Sequence, residues 1–329
     1  MSWGRLMKLS NVRKILFITL SNIGDVILTL PVLSALKDNF PEAGIDIVVG
    51  PRPREVFKKD PRANRVFIYD KYAGFKDKIT FIKKLKAEKY DLAIDMKASL
   101  LPLLIGAKYR SAIFPIARSG IKHKRLIHLE SLRPFGLIYK KQKNIYIDDE
   151  ARKKIEDILQ TSGIKDADII IGVCPGSKSH LKQWKKQGFA SVINSILGNS
   201  QYKVILIGDT NEAGISKEIA AAVRQQGVID LTGKTSLNEL FALIEKFNLL
   251  LTGDSASLHI ASDLGVRVAA IFGPTDPEEY GPRGKEDAVM RKDLKCSPCK
   301  KAQCKFGTHE CMTAISAEEV LSTIRKVLK

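Results

Sequence analysis

Short apolar runs alternate with amphipathic stretches along almost the whole chain, and this alternation restricts its fold more than any other feature. Four runs with the length and boundaries of buried strands fill the first half: 13–20, 44–50, 65–70 and 90–96. Five more follow a charged stretch: 168–174, 202–208, 227–230, 247–251 and 267–273. Because strands that alternate with helices form parallel sheets covered on both faces, the sequence predicts an α/β fold that is built twice.

The length of the chain agrees with two such units. A chain of 329 residues allows two domains that each bury a core of their own. The charged stretch DDEARKKIEDIL, residues 148–159, separates the two sets of strands. We therefore expect an N-terminal domain at 1–155 and a C-terminal domain at 156–329.

The net charge of +18 is unevenly distributed. Residues 1–150 carry 29 Lys and Arg against 15 Asp and Glu, whereas residues 151–329 carry 25 against 21. A solvated basic surface would account for this excess, and so would an anionic partner such as nucleic acid, phospholipid or a phosphorylated glycan.

Two further features bear on where the protein works. No apolar run approaches the roughly 20 residues that span a membrane, and the early run KILFITL is too short for a signal sequence. The five cysteines are an odd number in a chain without an export signal. Both features favour a reducing cytoplasm.

Ligands of parallel α/β sheets bind beyond the carboxyl ends of the strands, so the loops that follow strands carry most information about function. Four such loops contain polar side chains that could contact a ligand. They are SNIGD (21–25), PGSKSHLKQW (175–184), GDTNE (208–212) and TGDSASLH (252–259).

The loop TGDSASLH leads from a buried strand into a helix. Gly253 permits a tight exit from the strand, and Asp254 or Ser255 can cap the helix by accepting its free N–H groups. The amides of Ser255, Ala256 and Ser257 would then form a positive helix end that suits a phosphate, with His259 one turn further on. The alternative is a well-capped helix with a packed histidine.

The loop PGSKSHLKQW offers two ammonium groups close to exposed amides. Ser177 and Lys178 follow Pro175-Gly176, and Lys182 precedes Trp184. Cations and amides in one loop suit a diphosphate. In the alternative interpretation the two lysines are solvated and Trp184 is a core anchor.

Asp25 in SNIGD begins the helix that follows the first strand. A carboxylate there caps a helix, with a contribution of about 1 kcal/mol. At the rim of a cleft it could instead be a general base. Spacing alone does not separate the two interpretations.

Other patterns fail as sites. LTGKTS (231–236) lacks the first glycine of a phosphate-binding P-loop, because position 228 is valine. Ser255 and His259 would form a nucleophile–base pair without a buried acid to orient the histidine.

Four cysteines, Cys296, Cys299, Cys304 and Cys311, have spacing that could hold zinc or could belong to a reduced, packed loop.

Taken together, these stretches resemble glycosyltransferase family 9, the ADP-heptose:lipopolysaccharide heptosyltransferases. The resemblance covers nearly the whole chain and rests on residues 21–37, 175–184 and 252–282. The tail CSPCKKAQCKFGTHECM, residues 296–312, is most similar to the heptosyltransferase II branch.

The resemblance implies the GT-B architecture, in which two Rossmann-like domains face each other across a cleft. It implies an acceptor-binding first domain, a donor-binding second domain, and a final helix (SAEEVLSTIRKVL) that packs back on the first domain. It also implies inverting, metal-independent transfer from a nucleotide diphosphate sugar, with no cofactor. The implied catalytic residues are Asp25, as the base, and Lys182. The implied donor-binding residues are Ser177, Lys178, Lys182, Glu212, Asp254, Ser255, Ala256, His259, Thr275 and Asp276, with Glu212 on the ribose.

We therefore expect a cytoplasmic glycosyltransferase, peripheral on the inner face of the membrane. Its donor would be ADP-heptose or a related nucleotide-sugar, and its acceptor an anionic lipid-linked glycan of the lipopolysaccharide inner core. The basic first half would contact the membrane surface. The alternatives are transfer of another sugar to a cell-surface glycan, or a nucleotide-sugar epimerase. Nucleic-acid binding is disfavoured by the 7% aromatic content and the lack of a stacking motif.

Overall fold

The computed structural model describes residue 7 and the ranges 9–112 and 120–329. The chain divides into two compact units, Met1–Tyr146 and Ile147–Lys329. Each unit is built around a parallel sheet of its own, with helices on its faces.

The first unit contains a five-stranded sheet in the order β3-β2-β1-β4-β5. Its strands are β1 (Lys14–Ile18), β2 (Gly44–Val49), β3 (Ala63–Ile68), β4 (Leu92–Asp95) and β5 (Tyr109–Arg110). Its helices are α1 (Ile23–Asn39), α2 (Phe75–Ala87), α3 (Leu101–Leu104) and α4 (Lys124–Glu130). Residues 26–36 of α1 are all buried, and α4 packs against this helix.

The second unit contains a six-stranded sheet in the order β11-β10-β9-β6-β7-β8. Its strands are β6 (Ile169–Cys174), β7 (Tyr202–Leu206), β8 (Val228–Asp230), β9 (Leu249–Gly253), β10 (Arg267–Ile271) and β11 (Ala288–Met290). Its helices are α5 (Asp149–Thr161), α6 (Lys186–Leu197), α7 (Ala213–Ala222), α8 (Leu237–Glu245), α9 (Ala256–Leu264), α10 (Pro277–Tyr280), α11 (Glu310–Thr313) and α12 (Ala317–Leu328).

The division between the units lies nine residues earlier than the sequence predicted. Helix α5 crosses the expected boundary at 155/156, but it packs against α8 and so belongs wholly to the second unit. The reason is its apolar stripe, because Ala151, Ile155 and Leu159 are buried at helical spacing. The charged side chains of this stretch therefore lie on the outer face of a packed helix.

The last helix, α12, buries its apolar stripe in the second unit. Val320, Ile324 and Val327 join the core beneath β9 and β10, and α12 also packs against α6. The expectation that α12 packs back on the first domain stays a prediction. Its apolar face covers the sheet of its own unit.

In the residues that the structure describes, no helix combines the length and the apolar character needed to cross a bilayer.

Candidate functional site

Both sheets have a point at which the strand order reverses. In the second sheet, β6 lies between β7 and β9, and the chain moves outward on one side before it returns to fill the other. The first sheet repeats this arrangement with β1 between β2 and β4. Open parallel sheets bind ligands in the crevice at such a point, so the loops after β6 and β9, and after β1 and β4, are candidate sites.

The loop after β6 passes close to the loop after β7. A Cβ atom on Gly176 would lie 2.1 Å from the carboxyl group of Glu212, so only glycine fits under this side chain. Ser177 is buried, Lys178 is exposed, and Lys182 ends a short 3-10 turn that begins at His180.

Lys182 and Asp254 form the central ion pair of the second unit. The Nζ atom of Lys182 lies 2.6 Å from Oδ2 of Asp254, and the side chain of Asp254 is only 7% exposed. Ser177 Oγ donates a hydrogen bond of 3.4 Å to the backbone oxygen of Asp254. The fold thus joins the loops after β6 and β9, and the ammonium group counters a carboxylate that would otherwise repel a bound phosphate.

Helix α9 begins next to the Lys182–Asp254 ion pair, but the side-chain cap at its start differs from the prediction. Ser255 holds the N-cap position and, among the described residues, no side-chain cap bond is made there. The hydroxyl of Ser255 pairs with Thr252 Oγ1 at 2.9 Å instead, and Asp254 has turned to Lys182. The predicted cap by Asp254 or Ser255 is therefore wrong. The first N–H groups of α9, beginning at Ala256, remain suited to an anion.

His259 is buried one turn into α9. Its Nε2 atom lies 4.0 Å from Oδ1 of Asp254, and its ring centroid lies 6.4 Å from that of Tyr280. Oδ1 of Asp254 thus faces His259, and Oδ2 of the same carboxylate faces Lys182.

Glu212 closes the other side of the β6 loop. Its Oε2 atom accepts a hydrogen bond of 2.8 Å from the backbone N–H of Asp209, as part of a reciprocal capping box. Burial raises the pKa of this carboxyl group. Glu212 is therefore fixed close to Gly176, at the same end of the sheet as Lys182.

The loop after β10 contributes Thr275 and Asp276. Asp276 caps α10, because its Oδ1 accepts a hydrogen bond of 2.9 Å from the N–H of Glu278. Thr275 Oγ1 is buried and has no hydrogen-bond partner within the parts of the chain described. Leaving such a group unpaired costs roughly 1–3 kcal/mol, which a polar ligand atom could recover.

Asp25 lies in the first turn of α1, after β1. Asn22 rather than Asp25 occupies the N-cap position, and its Nδ2 donates a hydrogen bond of 2.9 Å to Oδ2 of Asp25. The Asp25 side chain is half-buried at the first sheet's reversal point. The carboxylate is thus held by a neutral amide at the end of a strand.

Sequence reasoning missed His128, which interacts electrostatically with Asp25. His128 is in α4, which packs against α1. Burial lowers the pKa of His128 to about 4, a shift that the negative charge of Asp25 opposes. His128 is therefore neutral at physiological pH. A single histidine in a basic stretch gave no signal of this proximity.

Lys97, after β4, was also missed. Its Nζ lies 5.5 Å from the ring centroid of Tyr69, and burial lowers its pKa. The preceding Asp95 accepts hydrogen bonds from the N–H groups of Lys97 and Ser99, which fixes this loop.

In the ranges that the structure describes, no group of three or more His, Cys, Asp or Glu side chains is arranged to hold a metal ion. Cys296, Cys299, Cys304 and Cys311 are free thiols. Cys174 lies apart and is buried, which raises its pKa to about 11. The expectation that no metal is needed stays a prediction.

Comparisons with known proteins converge on one family. The sequence profile of glycosyltransferase family 9 (heptosyltransferase) matches residues 79–309. Lipopolysaccharide heptosyltransferase 3 of Escherichia coli strain K12 is 30% identical, over 77% of this chain and 80% of that protein. Lipooligosaccharide heptosyltransferase 2 of Campylobacter jejuni is 27% identical, over 93% of this chain and 96% of that protein.

Solved structures share the fold. A family 9 glycosyltransferase from Veillonella parvula has a TM-score of 0.82 at 25% identity, and covers 98% of this chain and 99% of its own. The E. coli heptosyltransferase WaaC with ADP has a TM-score of 0.71 at 18% identity, over 95% and 99%. These likenesses confirm the predicted GT-B fold class.

Proposed function

Because the chain belongs to glycosyltransferase family 9 and is therefore a glycosyltransferase, we propose that it transfers heptose from ADP-heptose to the inner core of lipopolysaccharide. The reaction inverts the anomeric carbon and needs no metal. One observation supports this most strongly: Lys182, Asp254 and the start of α9 lie together at the reversal point of the second sheet.

In this proposal the second unit binds the donor. The diphosphate lies against the N–H groups of α9, at Ser255 and Ala256, and close to Lys178 and Lys182. Such groups stabilise the negative charge that develops on the departing ADP, which is the role a metal ion has in other transferases. The Lys182–Asp254 pair supports this use of Lys182, because Asp254 holds the ammonium group in place.

The remaining donor contacts follow from the positions of the side chains. Glu212, fixed close to the β6 loop, binds the ribose hydroxyls. Asp254 and His259 contact the sugar with their polar atoms. Thr275 Oγ1, which has no partner in the parts of the chain described, and Asp276 complete the donor contacts from the loop after β10. A buried hydroxyl without a partner is what a donor contact would satisfy.

The first unit supplies the base. Asp25 accepts the proton of the acceptor hydroxyl, whose oxygen forms a bond to the anomeric carbon as the bond to ADP breaks on the opposite face. Asn22 orients the carboxylate through its 2.9 Å hydrogen bond. His128 is neutral at physiological pH and so leaves that carboxylate free to take the proton.

The acceptor and the membrane are assigned to the first unit by its charge. Residues 1–146 contain 29 Lys and Arg against 12 Asp and Glu. Basic residues of this kind attract an anionic lipid-linked glycan and the acidic inner leaflet of the cytoplasmic membrane. The basic stretches are residues 51–65, 76–89 and 108–125, of which 113–119 lie outside the described residues. Nucleic acid is not a partner in this proposal.

A single assay tests the proposed function. The purified protein is incubated in EDTA with ADP-heptose, with and without a heptose-deficient lipopolysaccharide core. We expect ADP release and a heptosylated product only when the core is present. If the protein transfers sugar only from another nucleotide-sugar, that compound would replace ADP-heptose as the assigned donor. Conversion of the donor without an acceptor would identify an epimerase, and loss of activity that only a metal restores would contradict the metal-free mechanism.

A further inference from the structure

The segment that carries the four cysteines packs directly on the candidate donor loops. We name residues 296–312 the cysteine segment. Ser297 Oγ donates a hydrogen bond of 2.7 Å to the oxygen of Gly273, and the N–H of Lys300 donates one of 2.8 Å to Pro274. Both acceptors immediately precede Thr275. The cysteine segment therefore holds the loop after β10.

The same segment also reaches the loop after β6. The ring Nε2 of His309 makes a hydrogen bond with the backbone oxygen of Leu181, the residue before Lys182. Because the acceptor is a carbonyl oxygen, Nε2 carries the proton. One segment thus contacts the loops on either side of β9, whose own loop starts α9.

Backbone strain marks these two contact residues. In residues 147–329, all of which the structure describes, Lys300 and His309 are the residues other than glycine with a positive φ, at 54° and 52°. The left-handed conformation costs roughly 1–2 kcal/mol in a residue with a side chain. Strain of this kind persists where the surrounding contacts require it.

The cysteine thiols stabilise the turn that presents His309. Cys304 accepts hydrogen bonds from backbone N–H groups of residues 306–309, which lowers its pKa. Cys311 Sγ packs over Gly273, where an added Cβ would lie 3.0 Å away. Cys304 therefore supports the turn before His309, and Cys311 packs this segment against the β10 loop.

We propose that the cysteine segment sets the spacing of the two donor loops, with His309 and Lys300 as positioning residues. The inference rests on the proposed function only in taking these loops to bind the donor. His309 fixes the turn that carries Lys182, and Lys300 fixes the backbone that carries Thr275. Neither side chain needs to touch the donor.

Matched variants test this role. His309→Gly keeps the left-handed backbone without strain but removes the ring, so its affinity for ADP should fall by about tenfold, as for one lost hydrogen bond. His309→Asn tolerates the same backbone and keeps an N–H donor, so it should recover part of that affinity. Lys301→Ala, which removes an exposed lysine of the same segment, is the control and should bind ADP within about twofold of the parent.

The readouts separate positioning from folding. We expect a raised KM for the donor in His309→Gly, an unchanged KM for the acceptor, and an unchanged melting temperature. Amide exchange in residues 176–183 should accelerate without any ligand. Wild-type exchange and wild-type ADP affinity in His309→Gly would overturn the inference. Failure of the parent protein to bind ADP would instead overturn the proposed function, and the ligand-free exchange would still test the loop contact.

A separate observation concerns the surface of the first unit. Six large apolar side chains are exposed after β3 and β4: Tyr72, Phe75, Ile79, Leu100, Leu103 and Leu104. We name these six the apolar patch. Helices α2 and α3 contact each other, and their inner residues pack on the same core cluster. The two parts of the patch therefore lie on one side of the sheet.

Lysines accompany this patch. Lys71 and Lys97 lie close enough to repel each other electrostatically, so the two segments are near one another, and α2 carries Lys76, Lys83 and Lys84 on the same helix as Phe75. Apolar side chains among lysines suit the interface of an anionic bilayer. We infer that the apolar patch inserts into the acidic leaflet, which deepens the membrane contact proposed above.

Vesicle binding tests this second inference. With phosphatidylglycerol vesicles, Leu103→Ser/Leu104→Ser should lose the fraction of binding that survives 0.5 M salt. Phe306→Ser, which removes an apolar side chain that is 63% exposed in the second unit, is the control and should bind like the parent. Equal salt-resistant binding of the parent and the double variant would overturn the inference that the apolar patch inserts into the membrane. Activity on a delipidated acceptor should be unchanged, which keeps this test apart from the proposed function.

Discussion

The two units share a strand order, to which the second sheet adds a sixth strand, but they differ in charge. Each sheet starts in its middle, moves outward, and returns on the other side. Residues 1–146 carry 29 basic and 12 acidic residues, whereas residues 147–329 carry 25 and 24. Because the scaffolds match, the difference lies in the loops and surfaces, and function must be argued from those.

The use of charge also differs between the units. In the second unit the half-buried Lys182 is paired with Asp254, and several lysines and arginines pair on the surface, as Lys154 does with Glu239. In the first unit the basic residues outnumber their possible partners by more than two to one. The second unit therefore organises single charges at a site, whereas the first presents an excess to its surroundings.

The largest expected effect comes from the first unit. Asp25→Asn should lower turnover by roughly 100-fold or more, because the amide cannot take the acceptor proton. The affinity for ADP should stay that of the parent, because our proposal assigns the donor to the second unit. Steady-state kinetics and calorimetry measure the two quantities. Unchanged turnover would show that Asp25 has only a structural role at the start of α1.

Lys182→Ala should affect donor binding and turnover together. An ammonium group on the diphosphate acts in both the ground state and the transition state, and we expect a loss of about tenfold or more in each. Lys185→Ala, which removes an exposed lysine three residues further on, serves as the control. Parent affinity for ADP in the Lys182 variant would remove Lys182 from the site.

The charge difference itself is tested with vesicles. Reversal of Lys122, Lys124 and Arg125 to glutamate should weaken binding to anionic vesicles at low salt by at least about tenfold, since each basic residue contributes up to about 1 kcal/mol. Reversal of the exposed Lys165, Lys217 and Lys285 in the second unit is the charge-matched control.

Salt provides the second half of that test. Binding of the parent should fall steeply by 0.5 M salt, where the Debye length is about 4 Å. Equal binding to neutral and anionic vesicles, or none to either, would mean that the excess charge of the first unit is an ordinary solvated surface.

The last effect concerns stability and His128. Its pKa is about 4 in the folded unit and near 6.5 in an unfolded chain, so between these values the unfolded state binds more protons. The free energy of unfolding should therefore decrease as the pH falls from 6.5 towards 4. His128→Gln should flatten this part of the profile in urea titrations. Identical slopes for the parent and the variant would show that His128 does not titrate as a buried group.

The sequence predicted the fold well because alternation is a local signal. The predicted apolar runs correspond to β1 to β4 and β6 to β10. Strands β5, of two residues, and β11, of three, are too short to give a periodic pattern. The boundary was misplaced because the charges of residues 148–159 suggested a separation between the two domains, whereas burial of the inner face of α5 decides where α5 belongs.

The sequence predicted which loops form the candidate site, but it did not predict the contacts that their side chains make. The loops around Lys182 and Asp254 were identified from the strand ends, but their ion pair joins residues 72 positions apart. The predicted cap of α9 was wrong because Asp254 and Ser255 have partners that only the tertiary structure brings close. His128 and the contacts of His309 carried no sequence signal, because single histidines are common in cores and on surfaces.

The most direct test of the division of labour is hydrogen exchange of the full chain with and without ADP. Binding at the second unit predicts slower amide exchange in residues 174–183, 253–259 and 273–276. Residues 21–26 of the first unit should exchange at the same rate in both states. Protection confined to the loops after β1 and β4, with none after β6 and β9, would contradict the assignment of the donor to the second unit.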